Sequence, residues 1–113
     1  MTAAADLPGN LFHLPIPLPP AEMFTTLVET PQLRIERIVS SGQTSLPDQW
    51  YDQDQTEWVV VLQGEAELTY GDGTSQRLQP GGYVLILPHV RHRVTYTSTE
   101  PPCIWLAVHW PEP

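Results

Sequence analysis

Lysine is absent from this 113-residue chain, and its five basic residues are all arginine. The absence of lysine excludes Schiff-base chemistry and the type of phosphate-binding loop that requires a lysine. Thirteen acidic residues give the chain a formal net charge of −8. Such a chain lacks the positive field that a phosphate backbone requires, so we expect no nucleic-acid partner.

Cysteine and long apolar runs are also scarce. The single Cys103 cannot close a disulfide within the chain, so the cysteine content does not point to an oxidising compartment. No stretch approaches the roughly 18 consecutive apolar residues that a transmembrane helix needs. Residues 1–8 contain neither the basic nor the apolar region of a secretory signal. We therefore expect a cytoplasmic protein without a membrane partner.

Proline and glycine, by contrast, are abundant. The 13 prolines and seven glycines interrupt the chain too often for long helices. The proline-rich residues 14–20 predict an extended N-terminal arm. One short helix is predicted over residues 21–28, because Met23, Phe24, Leu27 and Val28 would share one helical face.

The rest of the chain predicts short strands. Residues 65–70 alternate polar and apolar side chains, and Gly71, Asp72 and Gly73 then supply a tight hairpin turn. Further strands are predicted at residues 33–40, 57–62, 83–87, 93–97 and 104–108. Many short strands separated by turns are typical of an all-β sandwich or barrel. We therefore predict one domain, with an arm at residues 1–32 and a barrel at residues 33–113.

Two partial motifs flank the predicted hairpin. Glu57 and Gly64 have the spacing that ends one motif, and Gly81 and His92 have the spacing of a second. On these positions the chain resembles the cupin superfamily over residues 33–110, in particular a subgroup of small uncharacterised cupins. The resemblance implies a double-stranded β-helix, which is the cupin jelly-roll barrel. It does not imply an activity.

The first motif departs from the family pattern because both of its histidines are absent. Their positions hold Trp50 and Asp52 in the longer spacing of the motif, or Tyr51 and Gln53 in the shorter spacing. The second motif also departs from the pattern, at Leu87, His89 and Tyr96.

The resemblance implies that Glu57 and His92 are two of four metal ligands. Asp52 is the best-placed replacement for a missing histidine, because it holds a histidine position in the longer spacing. His109 is a second candidate, since it is in phase with Trp105 rather than with the aliphatic residues of its strand. Imidazole and carboxylate ligands together suit Mn, Fe, Ni or Zn. The predicted metal site therefore consists of Glu57, His92, Asp52 and His109.

The same side chains have simpler interpretations. Glu57 and His92 also fit a hydrogen-bonded polar pair in a barrel that binds no metal. Asp52 and Asp54 fit a solvated loop before the strand, and His89 fits a loop between strands. His109 fits the polar end of the last strand.

Three functions remain open. The retained Glu57 and His92 favour a metal-dependent protein that acts on a small molecule, although no reaction is indicated and the chain need not be an enzyme. The missing histidines favour a metal-free cupin that binds or senses a small ligand. The third is a structural or interaction role, in which the acidic surface and the proline-rich arm serve an oligomer. The apolar run at residues 58–62 indicates a strand covered on both faces, so we expect a homodimer.

Overall fold

The computed structural model describes residues 9–112 and contains eight strands in this range. They are β1 (Met23–Thr30), β2 (Leu33–Ser40), β3 (Gln55–Gln63), β4 (Ala66–Tyr70), β5 (Ser75–Leu78), β6 (Tyr83–Ile86), β7 (His92–Thr97) and β8 (Cys103–Pro111). One antiparallel sheet has the order β1-β2-β8-β3-β6, and the other has the order β5-β4-β7. This architecture confirms the all-β jelly-roll barrel. Among residues 9–112, no helix has the length and apolar character needed to cross a membrane.

The predicted strands correspond closely to the observed ones. Strand β2 has the predicted bounds, and the turn at residues 71–73 joins β4 to β5 as expected. Gly73 adopts a φ of 90° in this turn, and its amide donates to the Tyr70 carbonyl at 2.9 Å. Strand β5 was not predicted, because Leu78 is its only apolar residue and a single apolar position carries no periodicity.

The helix predicted over residues 21–28 is wrong, since residues 23–30 form β1 in the larger sheet. The pairing of β1 with β2 shifts register between Thr26 and Val28, which leaves Leu27 as an extra residue in a bulge. The bulge interrupts the period-two alternation and produces an apolar spacing that resembles a helical face. Long-range pairing therefore decides this segment, as a helix of this length would be only marginally stable.

The core lies between the two sheets. Val59, Val61 and Trp105 from the larger sheet pack with Ala66 and Leu68 from the smaller sheet, and each is at most 4% exposed. Burial of one large aliphatic side chain contributes about 1.5–3 kcal/mol, so this cluster holds the sheets together. The alternation of Glu57, Val59 and Val61 also directs the Glu57 carboxylate toward the barrel interior.

The part of the N-terminal arm that the structure describes runs against the barrel. Arg37 donates from Nη1 to the carbonyl oxygens of His13 at 2.8 Å and Leu11 at 3.3 Å. Gln43 donates from Nε2 to the carbonyl of Pro20 at 3.0 Å. These contacts fix the approach of the chain to β1. Residues 1–8 of the predicted arm lie outside the described residues.

Candidate functional site

A cavity of about 160 Å³ opens between the two sheets at one end of the core. Its deeper wall is apolar and includes Val59, Leu68 and Ile86, which belong to the core cluster. Its polar wall combines carboxylates, imidazoles, an amide, a phenol and a guanidinium. The polar lining residues are Glu22, Arg34, Glu36, Tyr51, Gln53, Glu57, His92 and His109. An apolar cavity with a few convergent polar groups is the usual form of a small-molecule site.

Glu57 and His109 reach the cavity side by side from the larger sheet. They are paired across β3 and β8, so their side chains point to the same face. The His109 Nε2 atom lies 3.7 Å from Glu57 Oε2. Both residues are buried, at 4% exposure for His109 and 9% for Glu57.

His92 approaches Glu57 from the smaller sheet. It begins β7 and forms an isolated bridge with Tyr51, whose amide donates to the His92 carbonyl at 2.7 Å. The His92 Nε2 atom lies 3.8 Å from Glu57 Oε1, and His92 is 4% exposed. The Glu57 carboxylate therefore lies between two imidazoles, at distances too long for direct hydrogen bonds.

A backbone contact determines the tautomer of His92. Its Nδ1 atom is 2.9 Å from the carbonyl oxygen of Val90. Because a carbonyl oxygen only accepts, Nδ1 carries a proton and donates it. In the neutral imidazole, the Nε2 atom that faces Glu57 therefore has a free lone pair.

His109 has the opposite arrangement. Its Nε2 atom is 3.3 Å from Oε1 of Glu36 on β2, and an ionised carboxylate only accepts, so Nε2 donates. The Nδ1 atom of His109 is buried and has no hydrogen-bond partner among residues 9–112. In the neutral form it is a buried acceptor without a donor, which is a costly state for a polar atom.

Tyr51 and Gln53 hold the positions of the missing histidines. Gln53 donates from Nε2 to Glu57 Oε1 at 3.1 Å, and the Tyr51 ring stacks on His92 with 5.4 Å between centroids. The carboxylate of Asp52 points away and accepts from His89 Nδ1 at 2.8 Å, with half of its side chain exposed. Side chains alternate along this extended segment, so only every second residue reaches the cavity.

Asp52 holds a histidine position in the longer motif spacing, but it lies outside the cavity. The shorter spacing, which assigns the two positions to Tyr51 and Gln53, agrees with the residues that line the cavity. Asp54 and His89 are also exposed and do not line it. Of the four predicted ligands, the structure brings Glu57, His92 and His109 together and leaves Asp52 outside.

Three charged residues of the cavity were missed by the sequence reasoning. Arg34 and Glu36 lie on β2 in phase with Ile38, and alternation along that predicted strand could have indicated them. Glu22 precedes β1, and no local pattern links it to the site. Its carboxylate accepts from the hydroxyl of Ser40, which also accepts from the indole of Trp105 at 3.1 Å.

The carboxylates act together on the phenol of Tyr51. Burial raises the pKa of Tyr51 above its ordinary value, and the negative charges of Glu22, Glu57 and Glu36 raise it further. Burial first, and then the negative charges, favour the neutral form of the phenol.

The donor atoms around Glu57 fit part of a metal site. Metal bonds to imidazole and carboxylate are about 2.0–2.2 Å long, so one ion fits between His92 Nε2 and Glu57 Oε1. The Nδ1 bond of His92 to a carbonyl is also the usual support of a metal-binding imidazole. Among residues 9–112, however, no group of three or more His, Cys, Asp or Glu side chains has an arrangement that could hold a metal ion.

Comparisons with known families and structures identify the same barrel fold. A family profile described as "Cupin domain" matches residues 37–109. Comparison with curated protein sequences found no match. The crystal structure of a "putative mannose-6-phosphate isomerase" from Ralstonia eutropha JMP134 is similar, with 42% identity and a TM-score of 0.86. The match covers 94% of this chain and 99% of that one.

More distant structures share the fold. A cupin superfamily protein from Desulfitobacterium hafniense DCB-2 has 16% identity and a TM-score of 0.69, covering 82% of this chain and 80% of that one. KdgF from Halomonas sp. has 18% identity and a TM-score of 0.69, covering 84% of both chains. At these identities the likeness supports the architecture alone.

Proposed function

The chain belongs to the cupin family, and we propose that it binds a small molecule in the barrel cavity, with Glu57, His92 and His109 as the polar contacts. One observation carries this proposal: the buried Glu57 carboxylate lies 3.8 Å and 3.7 Å from two imidazole nitrogens. Those gaps are too long for direct hydrogen bonds, so the carboxylate and the His92 imidazole can both contact a group bound in the cavity beside them. The cavity beside them provides room for the molecule that carries this group.

The protonation pattern supports a bound molecule rather than a closed polar pair. In the neutral form, His92 Nε2 and Glu57 Oε1 are both acceptors, and two facing acceptors repel each other. A donor or a cation between them removes this repulsion. Gln53 already donates to Glu57 Oε1, so the atom left for a ligand is His92 Nε2, which a bound hydroxyl, ammonium or metal ion would satisfy.

A divalent cation is the second candidate, favoured by the imidazole tautomer of His92. Glu57 and His92 would hold it, whereas His109, the other predicted ligand in the cavity, uses Nε2 to donate to Glu36. A metal ion there would polarise an oxygen of the bound molecule. Mn, Fe, Ni and Zn suit these donors. Asp52 is not part of this proposal, because its carboxylate bonds to His89 at the surface.

Two measurements test these proposals on the full chain. The first is elemental analysis by plasma mass spectrometry after purification without chelators, on wild type, Glu57→Gln, His92→Gln and the surface control Asp52→Asn. Stoichiometric metal in wild type and Asp52→Asn, with loss in the other two variants, supports the cation. An absence of metal in wild type after reconstitution, or its retention in all variants, overturns the cation.

The second measurement is ligand-observed NMR with a library of small polar fragments on chelator-treated protein. We expect fragments that compete for one site and that lose binding in Glu57→Gln but not in Asp52→Asn. If no fragment binds wild type, or if binding survives equally in both variants, the proposed binding site is wrong.

A further inference from the structure

The cavity carries an excess of negative charge. Glu22, Glu36 and Glu57 line it with one cation, Arg34, so these four groups have a formal charge of −2. Each carboxylate is held by a neighbour: Glu22 by the Ser40 hydroxyl, Glu36 by His109 and Glu57 by Gln53. The charges therefore occupy fixed positions on the cavity wall.

The cavity wall around Glu57 also presents acceptors, while Arg34, Tyr51 and Gln53 supply donors elsewhere on the lining, and Arg34 Nε is buried without a partner among residues 9–112. The His109 side chain lines the cavity, is 5% exposed, and leaves Nδ1 without a hydrogen-bond partner among residues 9–112. With Nε2 donating to Glu36, Nδ1 of the neutral ring is an acceptor that is enclosed in the cavity wall. His92 Nε2 and the Glu57 carboxylate are acceptors as well. A ligand that contacts His92 Nε2 and the Glu57 carboxylate must bring donors to them.

Aromatic rings complete the lining. Phe24, Tyr51 and Trp105 line the cavity together with the carboxylates. Aromatic faces beside carboxylates attract organic cations, since the ring quadrupole and the anions act in the same sense. A cavity of about 160 Å³ is close in size to one of about 150 Å³ that accommodates a benzene-sized molecule.

We propose that the ligand of this cavity is a small primary amine, bound as its ammonium ion between Glu22, Glu36 and Glu57. This inference rests on the proposed function, because it names the chemical class of the molecule that occupies the same cavity. An ammonium group offers three donors and no acceptor, which matches the acceptors around Glu57. Its charge offsets the negative wall.

The same charges disfavour a phosphorylated ligand. The relative from Ralstonia eutropha is described by a name that includes mannose 6-phosphate. In this chain, a phosphate dianion in the cavity would face three carboxylates with Arg34 as the one arginine on the lining. We therefore expect that sugar phosphate not to bind.

A set of probes matched in shape separates charge from size. Cyclohexylamine, cyclohexanol and cyclohexanecarboxylate carry a cationic, a neutral and an anionic group on the same ring. Titrations of each, and of mannose 6-phosphate, are followed by ligand-observed NMR on chelator-treated wild-type protein. We expect the amine to bind about tenfold more tightly than the alcohol, as one charge-assisted hydrogen bond predicts, and the two anions not to bind.

Two variants with the same net charge provide the control. Glu22→Gln removes a cavity charge, but its amide oxygen can still accept from Ser40. Glu29→Gln removes an exposed charge from β1, the strand that begins one residue after Glu22. We expect weaker amine binding in Glu22→Gln than in Glu29→Gln, and wild-type binding of both the amine and the alcohol in Glu29→Gln.

The outcomes distinguish a failure of the amine proposal from a failure of the proposed binding site. Equal binding of amine and alcohol in wild type overturns the amine and leaves the binding site intact. Equal weakening of amine binding in both variants also overturns it, because a general charge effect would then explain the preference. If none of the probes binds wild type, the amine is wrong, and the fragment library then decides whether the proposed site itself fails.

Discussion

The imidazole of His92 faces the carboxylate of Glu57 across 3.8 Å, from one sheet to the other. The Val90 carbonyl fixes the proton of this imidazole on Nδ1, so its second nitrogen is directed at Glu57 as an acceptor whenever the ring is neutral. In that state His92 does not hydrogen-bond to Glu57, whose Oε1 accepts from Gln53 instead.

The tautomer of His92 is directly measurable. In its neutral form we expect His92 to carry its proton on Nδ1, because only a donor can bond to the Val90 carbonyl. Long-range ¹H–¹⁵N correlation spectra at alkaline pH distinguish the two nitrogens. His13, which is exposed, serves as the reference in the same spectra. A neutral His92 protonated on Nε2 would contradict the arrangement described here.

Gly64 is a position where an added methyl group has no space. It adopts a φ of 76°, and a Cβ there would lie 2.5 Å from Ser98 Oγ and 2.9 Å from the Cys103 Cα. We expect Gly64→Ala to lower the free energy of unfolding by about 3 kcal/mol, from backbone strain and overpacking together. Urea unfolding followed by tryptophan fluorescence measures this change.

Gly73→Ala is the matched control for Gly64. Gly73 also has a positive φ, of 90°, but a Cβ there would meet nothing within 4 Å. Only the backbone strain should remain, at about 1–2 kcal/mol. Equal losses in the two variants would show that the close contacts at Gly64 contribute nothing.

The thiol of Cys103 should be inert in the native protein. Burial, with a smaller effect of the Glu22 charge, raises its pKa from 9.0 to about 12. Since the thiolate is the reactive form, an aromatic disulfide reagent at pH 8 should label it only after unfolding. Rapid labelling under native conditions would contradict this burial.

The same pKa gives a stability change with pH. The unfolded thiol begins to ionise near pH 9.0 while the folded thiol stays protonated until about pH 12. The folded state therefore loses relative stability as the pH rises through this window, by about 1 kcal/mol at pH 10. Urea unfolding at pH 7 and pH 10 should show a smaller loss for Cys103→Ala than for wild type; an identical loss in both would argue against it.

The outer face of the larger sheet predicts a homodimer. One apolar side chain from each strand forms a continuous row of cross-strand partners, opposite the face that packs on the core. The members of this outer row are Val28, Ile35, Val108, Trp58 and Leu85. Val28 and Leu85 are 43% and 55% exposed, and burying such a row against a second copy is favourable.

Light scattering coupled to size exclusion tests the dimer. We expect twice the chain mass for wild type and a single-chain mass for Trp58→Glu, because a buried carboxylate opposes association. Leu46→Glu, at an exposed loop residue outside the strands, should leave the dimer intact. A wild-type protein of single-chain mass would refute the dimer.

The strands were largely predictable because alternation is a local property. Residues 33–40 and the hairpin at 71–73 carry their signals within a few positions, and the structure reproduces them. Strand β1 was not predictable in this way. Its bulge at Leu27 exists only because β2 lies beside it, so the sequence spacing imitated a helix.

The candidate site was also predictable only in part. The sequence by itself determined the barrel and the positions of Glu57 and His92, because a family motif is a pattern of spacing along the chain. The choice between Asp52 and Gln53 needed the phase of an extended segment against β7, which spacing alone left open. Because side chains alternate along an extended segment, only one of these two neighbours can point into the cavity.

Only the tertiary structure brought Glu22 and Glu36 to the cavity that holds Glu57, His92 and His109. Glu22 lies just before β1 and Glu36 lies on β2, and their place in the cavity depends on strand pairing between distant parts of the chain. Their charges act together because the residues are close in space, although they are far apart in the sequence. For this reason the fold could be predicted from the sequence, whereas the acidic character of the cavity depends on the tertiary structure.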